Sequence, residues 1–122
     1  MFLSGKPNPS VDMLVRSWRR KHLPDIKQLR RRERTPVLFT EIGYGSGMYT
    51  ARSPWASVTG DYSQEPQRRA YEAFYRVWSQ VRWFRGVYWW RWSPGPYDPR
   101  DRSHSPRGKS AERVMRRWNR AR

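Results

Sequence analysis

The feature that most constrains this chain is a pair of β-strand patterns separated by a single helical pattern. Residues 36–44, PVLFTEIGY, form an apolar run that ends in the carboxylate of Glu41 and then a glycine. Residues 86–93, GVYWWRWS, repeat this form later in the chain. Near-continuous apolar strands joined through a helix favour parallel pairing, with each strand covered on both faces. Function-prone residues at the ends of such strands are typical of an α/β fold related to the (β/α)8 barrel.

The whole chain is predicted to follow the order α-β-α-β-α. The two parallel strands cover about residues 36–42 and 86–92, and a last helix covers about 110–121. Ser10 and Ser63 precede the first two helical repeats. We expect both to cap their helices, because a serine hydroxyl can accept a hydrogen bond from a free N–H group of the first helical turn.

Chain length limits how much of a barrel can be present. A complete (β/α)8 barrel takes roughly 250 residues, whereas this chain has 122. Two parallel strands alone leave open edges and make a poor independent fold. We therefore expect residues 1–122 to be a single incomplete domain whose open strand edges allow self-association. Pro24 lies inside the first helical repeat and should kink or split that helix near Leu23.

Composition excludes several classes of site. The chain has no cysteine, so it has neither a disulfide framework nor a thiolate metal site. Its two histidines, His22 and His104, are far apart in sequence, and the glycines of residues 43–47 are not followed by the lysine of a phosphate loop. No metal or cofactor is therefore expected. No apolar run approaches the ~20 residues of a membrane span, and no signal-peptide pattern is visible. No membrane partner is expected, and the sequence does not indicate where in the cell the protein is located.

The net charge of +16 supports an alternative interpretation, a small basic nucleic-acid-binding protein. Mixtures of arginine and aromatic residues can bind phosphates and stack on bases. The charge lies mainly in the flanks, with +7 in residues 1–34, +7 in residues 100–122 and +2 in residues 35–99. Most of the aromatic residues lie in the nearly neutral centre, which counts against a nucleic-acid partner but leaves it open.

Glu41 is the sharpest candidate for chemistry. A carboxylate inside a buried strand is costly unless it is paired, whereas one at the carboxyl end of a strand can face the mouth of a barrel. The competing interpretation is an ion pair between Glu41 and one of the many arginines, and spacing alone does not decide between the two.

The second strand carries three tryptophans. Trp90 and Trp92 are predicted to share one side, because side chains alternate along a strand, while Trp89 points the other way. A flat indole can stack on the apolar face of a sugar ring, so tryptophans beside a carboxylate favour a saccharide site. The alternative is that all three tryptophans belong to the core.

Three segments in register resemble glycoside hydrolase family 113, the β-mannanase-type retaining enzymes with a (β/α)8 TIM-barrel fold. Residues 36–46, PVLFTEIGYGS, resemble the seventh strand of that barrel, and residues 86–93 resemble the eighth. Residues 105–118 resemble the closing loop and last helix. The sequence departs from the family at Arg91, where an acidic residue often stands between the two tryptophans. The resemblance implies the C-terminal portion of the barrel, from its sixth helix to its last.

The resemblance also implies a role for each candidate residue. Glu41 would be the catalytic nucleophile. Trp90 or Trp92 would line the sugar subsite, and Tyr44 would border the same cleft. A retaining glycosidase needs a second carboxyl group roughly 5–5.5 Å away as acid/base, and in this family it comes from the fourth strand, which is missing here. We therefore expect a fragment that acts on β-linked polysaccharide such as β-mannan through its intact parent and is inactive alone.

Overall fold

The computed structural model describes residues 1–96 and 98–121, so Tyr97 and Arg122 lie outside the described residues. The element order confirms the predicted α-β-α-β-α, with the first helix split in two. The elements are α1 (Val11–Ser17), α2 (Leu23–Glu33), β1 (Val37–Ile42), α3 (Gln64–Trp78), β2 (Phe84–Trp89) and α4 (Ser110–Arg120). A π-helical turn, Trp18–His22, joins α1 to α2.

The predicted interruption of the first helix is confirmed. The π-helical turn ends immediately before Leu23, and Pro24 lies in the first turn of α2. Proline is tolerated there because the N–H groups of a first turn have no partner within the helix. At the other end, Ser10 caps α1 as expected, since its hydroxyl accepts a hydrogen bond from the Met13 N–H at 3.2 Å.

The two strands are parallel, as predicted, and pair Val37 with Phe84 and Ile42 with Trp89. In the described part of the chain the sheet contains these two strands alone, so each has an open edge. The bounds of β2 differ from the predicted 86–92. Arg91 adopts a left-handed conformation with φ of 69°, and the extended strand ends before it.

Helix α3 covers one face of the sheet through a cluster of aromatic rings. The Phe39 ring centroid lies 4.8 Å from that of Trp78, and the Phe74 centroid lies 5.0 Å from that of Trp89. The predicted cap is confirmed, because the Ser63 hydroxyl accepts a hydrogen bond from the Glu65 N–H. The expectation of cover on both faces is not met within residues 1–96 and 98–121, where Leu38 and Tyr88 remain exposed on the sheet.

The last helix, α4, docks onto α3 through Glu72. The Trp118 indole N–H donates to the Glu72 carboxylate at 3.1 Å, and Arg117 pairs with the same carboxylate. The Trp118 ring also stacks on Tyr75 with an angle of 6° between the planes. None of the helices in the described part of the chain is long and apolar enough to cross a membrane.

Candidate functional site

A cavity of about 200 Å³ opens at the carboxyl ends of the two strands. Glu41 from β1 and Trp90, the first residue after β2, both line it. Gly43 allows this close approach, since a Cβ there would lie 2.9 Å from the Trp90 Cβ and 3.2 Å from the His104 Cδ2. The cavity is smaller than the roughly 300–1,000 Å³ that ligand pockets usually enclose.

The Glu41 carboxylate has no partner among the described residues. Its side chain is exposed, and the ion pairs of the described chain all use other acids. The competing interpretation, an ion pair with an arginine, is therefore not what the structure shows. An exposed, unpaired carboxylate at a strand end is free to meet a ligand.

The three tryptophans of the second strand have separate environments. Trp89 is partly buried and packs against the core, where its ring stacks on Tyr71 with centroids 3.7 Å apart. Trp90 lies at the cavity, and its backbone N–H donates to the Ile42 carbonyl at 2.7 Å. Trp92 is exposed but does not line the cavity. The left-handed conformation of Arg91 ends the strand alternation that predicted a shared face for Trp90 and Trp92.

Tyr44 is not at the border of the cavity, contrary to expectation. The chain turns inward after Gly43, and the Tyr44 side chain is completely buried. Burial raises the pKa of the Tyr44 phenol. Its hydroxyl has no hydrogen-bond partner within the described part of the chain. Tyr44 therefore lies beneath the site, where it supports the loop that follows β1.

Two cavity residues were not among the sequence candidates. The His104 Nε2 lies 2.6 Å from the Pro54 carbonyl oxygen and donates to it, a contact that joins residues 50 positions apart. Trp55 follows Pro54 and also lines the cavity. The unusual length of the loop at 43–62 was a usable signal for Trp55, because long loops in compact domains are often functional. No local pattern indicated His104.

Gln67 of α3 fixes the two loops around the cavity. Its buried amide donates to the Tyr44 carbonyl at 2.8 Å and to the His104 carbonyl at 3.2 Å. The loop before α4 is tied down again by buried Lys109, whose Nζ lies 3.2 Å from the Asp101 carboxylate. Burial lowers the pKa of Lys109, although the charge of Asp101 opposes this. The site is therefore held by polar contacts that a helix and both loops share.

The other acids near the strand ends do not reach the cavity. Glu65 pairs with Arg68 at 2.8 Å, and the Asp98 side chain accepts from the Arg100 N–H at 2.8 Å. Within the described ranges, Glu41 is the single carboxylate that lines the cavity. The same residues contain no group of three acidic or histidine side chains close enough to hold a metal ion.

Comparisons with known proteins place this geometry in context. The model of Glycoside Hydrolase Family 113 matches residues 8–108. A solved complex of a GH113 β-1,4-mannanase superposes with a TM-score of 0.80 at 23% sequence identity. A GH113 β-mannanase from Alicyclobacillus acidocaldarius in complex with ManMIm superposes with a TM-score of 0.76 at 24% identity. Both matches cover 88% of this chain and 36% of the solved chain, so this chain spans about a third of their length. No curated protein matches the sequence.

Proposed function

This chain belongs to glycoside hydrolase family 113, and from that premise we propose that it supplies the nucleophile side of a retaining glycosidase that acts on β-linked polysaccharide such as β-mannan. Residues 1–122 would form a single incomplete domain of the barrel. The observation that carries the proposal is the unpaired Glu41 carboxylate, which lies at the carboxyl end of β1 and lines one cavity with the exposed indole of Trp90.

The proposed reaction is a double displacement. The Glu41 carboxylate attacks the anomeric carbon, the leaving-group oxygen departs with a proton from an acid, and a glycosyl ester remains. Water then cleaves that ester with help from the same second group acting as base. Trp90 would offer its flat face to the sugar ring during both steps. The second carboxyl group would come from a part of the barrel outside this chain.

Two further residues have proposed supporting roles. Trp92 is exposed after the end of β2, and we assign it to an outer part of the sugar-binding surface. Tyr44 is buried below the cavity, so its proposed contribution is to hold the Glu41 strand end and its following loop in place. Carbohydrate is thus the proposed partner of the complete barrel, with Glu41 and Trp90 nearest the reacting sugar.

An activated substrate tests the role of Glu41. We expect 2,4-dinitrophenyl β-mannoside to modify the chain once, because its phenolate leaves without a proton from an acid. Attack by Glu41 forms the mannosyl ester and releases dinitrophenolate, and the ester persists because no base activates water. Mass spectrometry should locate one mannosyl group on Glu41. Asp61→Asn, which changes another exposed carboxylate, should leave the modification intact.

Glu41→Gln should abolish the modification, since an amide is a poor nucleophile. Labelling that persists at the same level in Glu41→Gln would contradict the assignment. The absence of any label on the unaltered chain at high substrate concentration would contradict it equally.

Intact β-1,4-mannan gives a separate prediction. We expect this chain alone to release no reducing ends above the buffer rate, because natural leaving groups need the missing acid. A reducing-sugar assay with Glu41→Gln as the matched control measures this. Release that disappears in Glu41→Gln would show that a second carboxyl group of this chain acts as the acid/base, and would contradict the proposed inactivity.

The alternative, a basic nucleic-acid-binding protein, is not favoured by any contact in the site. The aromatic rings of Trp18, Trp78 and Phe74 are fully buried and cannot stack on bases. The exposed indole of Trp90 lies beside the Glu41 carboxylate, whose charge would repel phosphate. Weak salt-sensitive binding to nucleic acid is expected from any chain of this charge and would not by itself support that function.

A further inference from the structure

We propose that Trp55 is a second sugar-stacking surface, which binds the pyranose ring next to the one at Glu41 and Trp90. The inference rests on the proposed function and extends the site from one sugar ring to two. It concerns a residue in the loop after β1, outside the strand-end motifs.

A tight turn presents Trp55 at its tip. The Ala56 N–H donates to the Ser53 carbonyl at 2.9 Å, which closes a four-residue turn over residues 53–56. Pro54 is its second residue, a position that favours proline because the ring fixes φ. Trp55 is the third residue, so its indole stands away from the loop that carries it.

The Trp55 indole is left without packing. Its side chain is 73% exposed, in contrast to the fully buried Trp18 and Trp78. No ring contact or side-chain hydrogen bond in the described residues involves Trp55. An apolar ring of this size in water forgoes the stabilisation that burial would bring. Trp55 shares its cavity with a second exposed indole, that of Trp90, and apolar patches larger than a single side chain are the ones that mark binding sites.

The loop is ordered by contacts that do not involve the indole. His104 donates to the Pro54 carbonyl at 2.6 Å, directly before Trp55. The Ala51 carbonyl accepts from the Leu3 N–H at 2.8 Å, and Gly47 forms an isolated bridge with Tyr62. The position of Trp55 is therefore fixed before any ligand arrives, which lowers the entropic cost of binding.

The surroundings of Trp55 favour an uncharged sugar. Trp55 lines the same cavity as Glu41 and Trp90, so a ligand that stacks on both indoles also passes the carboxylate. Glu41 repels phosphates, which disfavours nucleotides. A pyranose ring has an apolar face for the indole and hydroxyl groups that can donate to the carboxylate. Each of the two indoles can then stack on one ring of an oligosaccharide.

The experiment follows the indole N–H signals of the ¹⁵N-labelled 122-residue chain during titration with mannose and with mannotetraose. Single replacements of tryptophan assign the signals. We expect mannose to shift the Trp90 signal, and mannotetraose to shift the signals of both Trp90 and Trp55. Trp55→Ala should weaken mannotetraose binding by about tenfold, on the scale of one aromatic stacking contact, and leave mannose binding unchanged.

Two further variants distinguish the loss of a stacking ring from two other effects, the loss of an apolar side chain at position 55 and a disturbance of the loop. Trp55→Leu keeps an apolar side chain but no flat ring, and should weaken binding as much as Trp55→Ala. The control is Tyr49→Asn, which removes an exposed aromatic ring from the same loop. Tyr49 has φ of 64°, a left-handed conformation that asparagine tolerates. This control should bind mannotetraose as the unaltered chain does.

The outcomes distinguish this inference from the proposed function. If mannotetraose shifts Trp90 but not Trp55, or if Trp55→Ala binds it with unchanged affinity, the second surface is wrong and the proposed function stands. If neither sugar shifts either signal, both are wrong. Circular dichroism of each variant confirms that a loss of binding is not a loss of fold.

Discussion

Gln67 shows how one buried side chain can position both loops of a site. Its amide nitrogen donates to carbonyl groups of Tyr44 and His104, and its amide oxygen accepts from the Ser46 hydroxyl at 3.1 Å. Buried carbonyl groups are costly when they lose their donors. The fixed separation of these loops therefore depends on one glutamine that does not itself line the cavity.

Replacement of Gln67 tests this dependence. We expect Gln67→Leu to lower the free energy of unfolding by about 1–3 kcal/mol, because the carbonyl groups stay buried without donors. Urea denaturation followed by tryptophan fluorescence measures the change. Gln28→Leu, at an exposed position on α2, should have almost no effect. If both variants lost the same free energy of unfolding, the hydrogen bonds of the Gln67 amide would not be the cause of the loss.

At the residue scale, the sequence predicted those side chains whose position depends on the strand alone. The position of Glu41 at the end of β1 and the packing of Trp89 against the core, away from Trp90, follow from strand position and alternation, whereas the sequence left open whether Glu41 forms an ion pair. Tyr44 and Trp92 lie beyond the strand ends, where Gly43 and Arg91 redirect the backbone. Alternation carries no information past such a point, so neither position could be predicted from it.

At the element scale, α4 is held on α3 by a carboxylate with several partners. Burial opposes the charge of Glu72, but hydrogen bonds from Trp118 and Arg76 and the charge of Arg117 outweigh it and hold the pKa of Glu72 below its usual value. The charged form of Glu72 is therefore favoured in the folded state. This part of the stability should depend on pH.

The expected pH dependence follows from that direction. A lowered carboxyl pKa stabilises the fold above the usual value, 4.5 for glutamate, and this contribution is lost as the pH falls through the lower folded pKa. The free energy of unfolding should thus decline below about pH 4.5. Glu72→Gln should make that decline shallower, measured by urea denaturation at pH 3 to 7, although Glu65, Asp101 and Glu112, whose pKa values are also lowered, still contribute to it. Glu33→Gln, which removes an exposed carboxylate, should leave the profile steep, and an equally steep profile in Glu72→Gln would contradict this account.

The elements also differ in how far sequence could predict them. The caps at Ser10 and Ser63 and the break near Pro24 follow from local hydrogen bonding and ring geometry, and all three are confirmed. The uncovered face of the sheet does not follow from local rules. The apolar side chains of β1 predicted cover on both faces, but within the described residues helices pack against one face and Leu38 stays exposed on the other.

At the scale of the whole molecule, the sheet leaves backbone hydrogen-bonding groups and apolar side chains without partners within the described chain. Each of the two strands has an edge without a partner in the described chain, and unpaired edges recruit other strands. Leu38 adds exposed apolar surface on β1. We propose that the chain self-associates through this surface when the rest of a barrel is absent.

A matched pair of leucines tests the association. Leu38 on β1 and Leu29 on α2 are each 47% exposed. We expect Leu38→Lys to weaken self-association, because charge on an edge strand opposes pairing between chains. Leu29→Lys adds the same charge away from the sheet and should leave association unchanged. Sedimentation equilibrium over a range of concentrations measures both, and equal effects would exclude the sheet as the interface.

The contacts of Gln67 also set an order of assembly during synthesis. Its partners include the Ser105 carbonyl, which follows Glu41 by 64 residues. At ribosomal rates of about 5–20 residues per second, the nascent chain presents the Glu41 strand end for roughly 3–13 seconds before the closing loop emerges. During that interval the Glu41 strand end lacks the contact that Gln67 makes with the closing loop. The strand that would do the chemistry is therefore made well before the loop that holds it in place.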